Sequence, residues 1–478
     1  MFYVAGPAEI WGPFLVVFLV LAWIRTDLAA ASVIVFLPYF MEPKHIGSHP
    51  LPPSEVLLGC VAIVTVARAL TPFLAPRLRV HIKLGTAPSV QTLRESPFVL
   101  PGLLFFVAAA ISTGAATELH LAARALLEVV LEPVMLFVLL ICNLPAGSPG
   151  GRRRSLTLLG LALVLAGAGP AAVGIVQLVT HTSLVAIPGA GYERIRSVYG
   201  SPDNLGLLLD RAIPMASALL LTPLALPLIG SLSGDRVHSN DRLRVIVGAV
   251  ALIAFLLTVV ALVSTFVLGA WIASFVGALL VFLTRLKAGW WLLIVLAVVF
   301  VGGLTVGRSH LAHGFSSAHG VTAAQRLRIW RSSLRMIRDH PIVGVGPDNF
   351  RHYYTPRHQS QHECPPGLGY MEPAAWREPC LSHPHNVFLD FWLSTGVVGL
   401  VAFGWLQVVF WRIVWRSRSL LARDLLPLLG AAGAMLAGLV HGLVDNSYFL
   451  VDLSAITWVL FAIASLASAP LARSEDPC

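Results

Sequence analysis

Long uninterrupted apolar runs constrain this chain more than any other feature of its sequence. The run from Val245 to Leu283 is about twice as long as the roughly 20 residues that one membrane-spanning helix needs. It does not alternate between apolar and polar residues, as the strands of a membrane β-barrel do. Since only helices and closed barrels satisfy backbone polar groups in lipid, these runs predict an all-α polytopic membrane protein.

The composition agrees with a membrane protein and argues against a nucleic-acid partner. Of the 478 residues, 56% are hydrophobic and 12% are charged, whereas soluble domains carry about 25% charged residues. The formal net charge of +9 is explained by lysine and arginine in cytoplasmic loops, where they fix membrane topology. We therefore expect membrane lipids, and no nucleic acid, among the partners of this chain.

Counting the apolar runs gives about 12–13 transmembrane helices and a topology. The loops with clustered basic residues all fall on one side of this count, and they are centred on Arg79, Arg153, Arg242, Arg285 and Arg416. Basic loops are typically cytoplasmic, which places the segments 180–204 and 307–384 on the exterior. The predicted organisation is transmembrane helices over 1–306, a large exterior helical loop over 307–384, and C-terminal transmembrane helices over 385–478.

The polar stretch His383-Pro384-His385-Asn386 stands at the mouth of an apolar segment. A histidine titrates near neutral pH and can act as a general base toward a hydroxyl. His385 and His383 are therefore candidate catalytic groups, and capping of the following helix is the structural alternative. A metal site would have to recruit residues without a firm ligand spacing, so no metal is predicted; those residues are His310, His313, His362, Glu363 and Cys364.

Arginines on the exterior side form a second group of candidates. Arg194 and Arg196 precede Pro202 and Asn204, which begin the next span. A guanidinium at the membrane surface can bind phosphate oxygens in a bidentate manner, and anchoring to lipid headgroups is the alternative. Arg326 and Arg328 lie in an amphipathic segment that predicts an exterior helix, where a solvated helix face is the alternative.

Polar residues within the apolar runs favour structural roles. Examples are His441, Asp445 and Asn446 in the late spans, and also Asp210, Arg211, Asp390 and Glu128. Such residues usually face a cavity or the interior of the helix bundle. Cys364 and Cys380 share the large exterior loop, where they can form a disulfide or remain two free thiols.

Three blocks of this sequence, taken together and in order, resemble the O-antigen ligase and O-antigen polymerase family of bacterial membrane glycan transferases. The first block runs from Arg196 to Asn204. The second runs from Arg326 to Phe350 and contains a glycine turn, Gly344-Val345-Gly346. In the third, His385-Asn386 is followed by nine residues and then Gly396-Val397-Val398-Gly399, which is similar to the ligase histidine signature in order and spacing.

Two positions depart from this resemblance. The family often places an arginine before a Gly-Ala-Trp element, whereas Leu268 precedes Gly269-Ala270-Trp271 here. Arg194, Arg308, Arg326 or Arg328 would have to replace that arginine in a phosphate clamp. Ser394 also stands where an acidic residue is common.

The resemblance implies a GT-C-like, inverting and metal-independent glycosyltransferase without a cofactor in the bacterial cytoplasmic (inner) membrane. It would transfer a glycan from an undecaprenyl-pyrophosphate-linked donor on the outer side of that membrane. In this reading His385 and Arg196 are catalytic, and the substrate-binding residues are Arg194, Arg326, Arg328, His383, Asn386 and Asn204. The histidine spacing favours a ligase with a lipid A-core acceptor. A polymerase with a lipid-linked glycan acceptor, a protein O-oligosaccharyltransferase, and a lipid or polysaccharide transporter remain alternatives.

Overall fold

The computed structural model describes residues 8–46, 49–74, 89–186, 193–224, 239–284, 323–355, 368–371, 381–421 and 425–470. Its helices, in chain order, are α1 (Ala8–Ile24), α2 (Thr26–Phe36), α3 (Pro53–Leu74), α4 (Val90–Arg94), α5 (Val99–Gly114), α6 (Leu119–Ala125), α7 (Glu132–Asn143), α8 (Pro149–Thr180), α9 (Pro202–Leu224), α10 (Ser239–Thr265), α11 (Leu268–Leu283), α12 (Ala323–Asp339), α13 (Phe350–Tyr354), α14 (Val387–Arg416), α15 (Arg418–Leu421), α16 (Leu426–Gly442) and α17 (Val451–Ser468).

The described residues confirm the prediction of an all-α polytopic membrane protein. Seven helices among them are long and apolar enough to cross a membrane, and five shorter apolar helices accompany them. A π-helical turn, Leu126–Leu131, joins α6 to α7, so that these elements cross as one unit. Extended structure is limited there to two small antiparallel ribbons, which are β1 (Lys44–Ile46) with β2 (His49–Leu51) and β3 (Val185–Ala186) with β4 (Glu193–Arg194).

The long apolar run 245–283 divides as the sequence predicts. Helix α10 ends at Thr265 and α11 begins at Leu268, and Phe266 between them takes a positive φ of 53°. The span predicted over 289–306 lies outside the described residues, as do Arg308, Cys364 and Cys380.

Helix α9 is surrounded by its neighbours α8, α10, α11 and α16. Close approach in this bundle depends on small residues. A Cβ atom added at Gly277 of α11 would collide with the carbonyl oxygen of Gly433 of α16, and one at Gly433 would collide with the carbonyl oxygen of Gly277. Small residues let helix backbones pack closely in membranes, where van der Waals contact drives association. The outer faces of α3, α8 and α10 instead expose large apolar side chains, as lipid-facing surfaces do.

The helix ends fall into two groups, which define two ends of the bundle. What we call the site end carries the α5–α6, α8–α9, α10–α11 and α16–α17 connections together with the start of α14. The opposite, basic end carries arginines that include Arg94, Arg152, Arg153, Arg154, Arg412 and Arg416. Arg153 and Arg416, two of the loop centres that the sequence count puts on one side, both lie at this end.

A second, smaller hydrophobic core lies at the site end, beneath α12. Ile329 and Met336 of α12 pack there with Val345, Tyr354 and Leu393. This core attaches α12 to the first turns of α14. The connection matters because the candidate histidines lie immediately before α14.

Two glycines with positive φ join the segment that follows α12 to α14. Gly344 (φ 73°) lies against the carbonyl oxygen of Leu393, and Gly396 (φ 70°) lies against that of Ile342, so that a Cβ at either position would collide with backbone. The backbone N–H of Val345 donates to the Leu393 carbonyl at 2.7 Å. The glycine turn and the kink in α14 therefore fit together as one joint, which explains why both of these resembling blocks need glycine.

Candidate active site

The His383–Asn386 stretch is held by the helix that follows it. Asn386 is the N-cap of α14, and its side-chain oxygen accepts from the backbone N–H groups of Phe388 and Leu389, at 3.1 Å each. Its amide nitrogen donates to the Leu443 carbonyl oxygen at 3.0 Å. Asn386 thus fixes the start of α14 and ties it to the α16–α17 connection.

His385 is oriented by contacts on two sides. Its backbone has a positive φ of 49°, and the indole N–H of Trp330 on α12 donates to the carbonyl oxygen of Pro384 at 3.1 Å. On the other side, Nδ1 of His385 lies 2.7 Å from Oδ1 of Asp445. An ionised carboxylate only accepts hydrogen bonds, so the proton is on Nδ1. The opposite nitrogen, Nε2, is buried and has no hydrogen-bond partner among the described residues.

Asp445 has the charge state that this pairing requires. Burial by itself would raise the pKa of its carboxyl group. The hydrogen bond and charge of His385, together with His441 and His383, outweigh burial and hold the pKa well below the ordinary range. Asp445 is therefore ionised at neutral pH and favours the tautomer of His385 that leaves Nε2 able to accept a proton.

His383 lies beside His385 and remains neutral. The two ring centroids are 4.2 Å apart, in an edge-to-face arrangement. Burial and the neighbouring His385 lower the pKa of His383 to about 3, and Asp445 opposes this only in part. His383 can therefore offer a hydrogen bond to a ligand without adding a charge.

A cavity of about 400 Å³ opens beside His383. Its volume lies in the range of roughly 300–1,000 Å³ that is typical of small-molecule sites. Polar and apolar groups both line it, and the polar ones include Asn204, Arg124, Glu128, Asp348, Ser382, His383, Asp390, Ser394 and Asn446. Of the predicted site residues, His383 and Asn204 line this cavity, and His385 and Asn386 follow His383 closely in the chain.

Arg194 lies at the corner where α9 and α11 begin. Its side chain is buried, and its Nε donates to the Thr265 carbonyl oxygen at 2.6 Å. A terminal nitrogen donates to Asp203 at 3.1 Å, and Asp203 is the chain neighbour of the cavity residue Asn204. Because Thr265 is three residues before Leu268, Arg194 lies beside the helix entrance where the resemblance expects an arginine.

Arg196 lies in the same segment and is half-buried. Its Nε donates to the Ser183 carbonyl oxygen at 3.3 Å. The segment around it is held firmly, since the Ser197 hydroxyl donates to the Pro170 carbonyl oxygen at 2.6 Å and the Tyr199 hydroxyl donates to Asp452 at 2.6 Å. No described contact joins Arg196 to His385, so their joint action remains a prediction.

Arg326 and Arg328 occupy different faces of α12. Arg326 is one helical turn before Trp330, so these two residues share a face, and Trp330 contacts the backbone of Pro384 and His385. Arg328 is two residues from each of them and projects from another face. The helix geometry therefore places Arg326 on the face of α12 that carries Trp330.

Part of the chain matches a known protein family. Residues 253–404 match the O-antigen ligase family. No curated protein matches the chain.

The family match confirms the resemblance predicted from the sequence and covers its second and third blocks. It includes Arg326, the glycine turn, His383 and His385, and it ends before Asp445. Arg194 and Arg196 precede it. The match supports O-antigen ligase-type glycan transfer in general terms. It does not specify the donor or the acceptor.

The histidine pair and Asp445 also have the composition of a metal site. Donor atoms of His383, His385 and Asp445 lie within 4.8 Å of one another, and Asp445 is not among the residues considered for a metal from the sequence. The same atoms already form the hydrogen bond between His385 and Asp445. Histidine hydrogen-bonded to a carboxylate occurs both in general bases and in metal ligands, so the absence of a metal requirement stays a prediction.

Sequence reasoning missed the role of Asp445. It is 60 positions after His385 in the numbering, and a polar residue in an apolar run favoured a structural role. The available signal was the pair Asp445-Asn446 at the end of a span, because ionisable residues there usually face a cavity. Asn446 does line the cavity.

A buried ionic network supports the loop that carries Asp445. The guanidinium of Arg211 donates to Asp210 at 3.0 Å and to the Ser447 carbonyl oxygen at 2.5 Å. His441 lies 2.6 Å from the other oxygen of Asp210. Buried charges are stable when they are paired and hydrogen-bonded, and this network fixes the backbone two residues after Asp445.

Proposed function

We propose that this protein transfers a glycan from a lipid-linked pyrophosphate donor, in the bacterial setting undecaprenyl pyrophosphate, to a hydroxyl group of an acceptor. The reaction takes place at the site end, on the outer side of the cytoplasmic membrane, without a metal or cofactor. The observation that carries the proposal is the pair formed by His385 and Asp445, whose Nδ1–Oδ1 distance of 2.7 Å leaves Nε2 as a base.

His385 acts on the acceptor in this mechanism. Its Nε2 takes the proton of the acceptor hydroxyl while the hydroxyl oxygen attacks the anomeric carbon of the donor. The bond from that carbon to the pyrophosphate oxygen breaks, and its electron pair leaves with the pyrophosphate. Asp445 stabilises the imidazolium that forms, and direct attack inverts the configuration at the anomeric carbon.

Arginines compensate the charge that develops on the leaving pyrophosphate. Preorganised cationic donors stabilise such charge without a metal. Arg196 is half-buried at the surface, and the described bonds of Arg194 use only part of its five N–H donors. We assign Arg196 to binding of the pyrophosphate. Arg194 takes the place of the arginine that the family often has where this chain has Leu268, and Arg326 reaches the site from α12. Arg328 is the weaker candidate of the two arginines of α12, because it projects from a face other than that of Trp330.

We favour a ligase with a lipid A-core acceptor, because the spacing between His385 and Gly396 is similar to the ligase signature. A polymerase or a protein O-oligosaccharyltransferase would use the same base and the same leaving group, and would differ in the acceptor. The match to the O-antigen ligase family supports this class of reaction over a transporter.

The experiment is a transfer assay with the purified full-length protein, a radiolabelled undecaprenyl-pyrophosphate glycan, a chelator and each class of acceptor in turn. We expect label to move to the lipid A-core acceptor in the presence of the chelator. Arg196→Ala should slow transfer on the order of 10²-fold, because it removes a donor to the leaving group.

The matched control is Arg331→Ala, which removes an exposed arginine of α12. It should transfer like the wild type. Wild-type protein that moves no label to any acceptor, or an Arg196→Ala protein as active as Arg331→Ala, would contradict the proposal.

A further inference from the structure

We propose that the cavity beside His383 binds the acceptor, and that it selects a hydroxyl-rich sugar carrying no phosphate or carboxylate at the bound unit. This inference rests on the proposed function, since it names the acceptor side of the same site. It also assigns a role to Asp390, Asp348 and Glu128.

The charges of the described lining residues decide between the donor and the acceptor. Carboxylates of Glu128 and Asp348 and the buried carboxyl group of Asp390 face the cavity, against the single guanidinium of Arg124. That guanidinium is already paired, because its Nε lies 2.7 Å from a carboxylate oxygen of Glu128. A pyrophosphate or phosphate would meet uncompensated like charge here, which costs free energy.

One buried carboxyl oxygen in this lining lacks a hydrogen-bond partner among the described residues. Asp390 is 3% exposed, and its Oδ1 accepts a hydrogen bond from the Ser394 hydroxyl at 3.1 Å. Its Oδ2 is buried without a hydrogen-bond partner among the described residues. An unsatisfied buried carboxyl oxygen is costly, and a sugar hydroxyl, which can both donate and accept a hydrogen bond, would satisfy it.

The remaining lining residues suit a sugar as well. Asn204 and Ser382 offer amide and hydroxyl groups, and the rings of Phe40, Phe350 and Phe449 supply apolar surface. Ser394, which departs from the acidic residue common in the family, is the group that orients Asp390. The cavity is lined by His383, whose ring contacts that of the proposed base, His385.

The test is equilibrium binding to the purified full-length protein in detergent, without donor, so that no transfer is needed. The probes are methyl β-D-glucopyranoside, its 6-phosphate, and methyl β-D-glucosaminide. We expect the neutral and the amino glycoside to bind, and the phosphate to bind at least about tenfold more weakly, which corresponds to about 1.4 kcal/mol.

Variants locate the effect. Asp390→Asn and Asp348→Asn should reduce the difference in binding affinity between the neutral and the phosphorylated glycoside. Asp348 is exposed and has a φ of 55°, which asparagine tolerates, so its variant is expected to fold even if Asp390→Asn does not. Asp339→Asn removes an exposed carboxylate outside the cavity. It should leave the difference in binding affinity between the two glycosides unchanged.

The outcomes separate this inference from the proposed function. Glycoside binding with the expected charge preference, in a protein that transfers no glycan, supports the cavity assignment and contradicts the function. Four results overturn the inference: no binding of the neutral glycoside, equal or tighter binding of the phosphate, no response to either cavity variant, or competition of the neutral glycoside with the donor instead of the acceptor in an active protein.

Discussion

At the level of single residues, the proposed mechanism depends on two separate roles, the base His385 and the orienting carboxylate Asp445. Asp445 touches no substrate in the proposed reaction and acts by fixing the tautomer of His385. General-base catalysis typically contributes about 10²–10⁴-fold to a rate, so the loss of the orienting carboxylate should cost part of that factor. The structure supplies the geometry for this role in the 2.7 Å contact between Asp445 and Nδ1 of His385.

The variant Asp445→Asn should therefore lower kcat by about 10- to 1,000-fold and change KM little. An amide still bonds to Nδ1, but it loses the charge that stabilises the imidazolium. The pH profile of kcat should change as well, because the base loses a charged neighbour. A merely structural residue would lower the amount of folded protein and leave the pH profile of the remaining activity unaltered.

His383 provides a test that involves stability. The folded state lowers its pKa from 6.5 to about 3, so between these values the unfolded chain binds a proton that the folded protein does not. Stability consequently falls as pH drops from about 6.5 toward 3, by at most about 1.4 kcal/mol per pH unit.

Thermal unfolding in detergent measures this effect. The variant His383→Gln should show a shallower decline of Tm between pH 6.5 and pH 4, since glutamine does not titrate. Parallel curves for the wild type and the variant would show that His383 is not held neutral by its surroundings.

At the scale of elements, the joint between the glycine turn and α14 determines where the histidines lie. Gly396 has φ 70° and ψ 179°, a region that is essentially restricted to glycine and costs other residues about 1–3 kcal/mol. An added Cβ would also collide with the Ile342 carbonyl oxygen. Gly396→Ala should thus lower the Tm and disturb the seating of α12 on α14.

Gly404 gives a matched control in the same helix. A Cβ at Gly404 meets nothing within 4 Å, and alanine favours a helix interior over glycine by about 1 kcal/mol. Gly404→Ala should therefore keep or raise the Tm. Equal Tm values for the two variants would contradict the role of the joint.

The elements also show what the sequence could and could not predict. The ends of apolar runs predicted the helix pairs well, as at the turn between Thr265 and Leu268, because hydrophobic length is a local property. The resemblance located His385 and the glycines of both blocks. It did not predict that the turn at Gly344 packs against the kink at Gly396, or that Asp445 reaches His385, since these contacts join distant segments through packing.

At the scale of the whole molecule, the two ends of the bundle predict the orientation in the membrane. The basic end should face the cytoplasm, which leaves His385 and the cavity on the exterior. Thr182 is exposed at the site end and Arg153 is exposed at the basic end. In a background without the five native cysteines, Thr182→Cys should react with a membrane-impermeant maleimide in intact spheroplasts, and Arg153→Cys should react only after permeabilisation. The reverse pattern would place the site in the cytoplasm.

His385 is the proposed base of the glycan transfer, and the single-turnover rate of His385→Ala is the decisive measurement. The assay uses purified protein that unfolds at the wild-type Tm, with the lipid-linked donor and a saturating acceptor. His120→Ala is the control, because His120 is exposed and outside the cavity lining. We predict a rate at least about 100-fold below wild type for His385→Ala and a wild-type rate for His120→Ala. A folded His385→Ala protein that transfers the glycan as fast as the control would contradict the account.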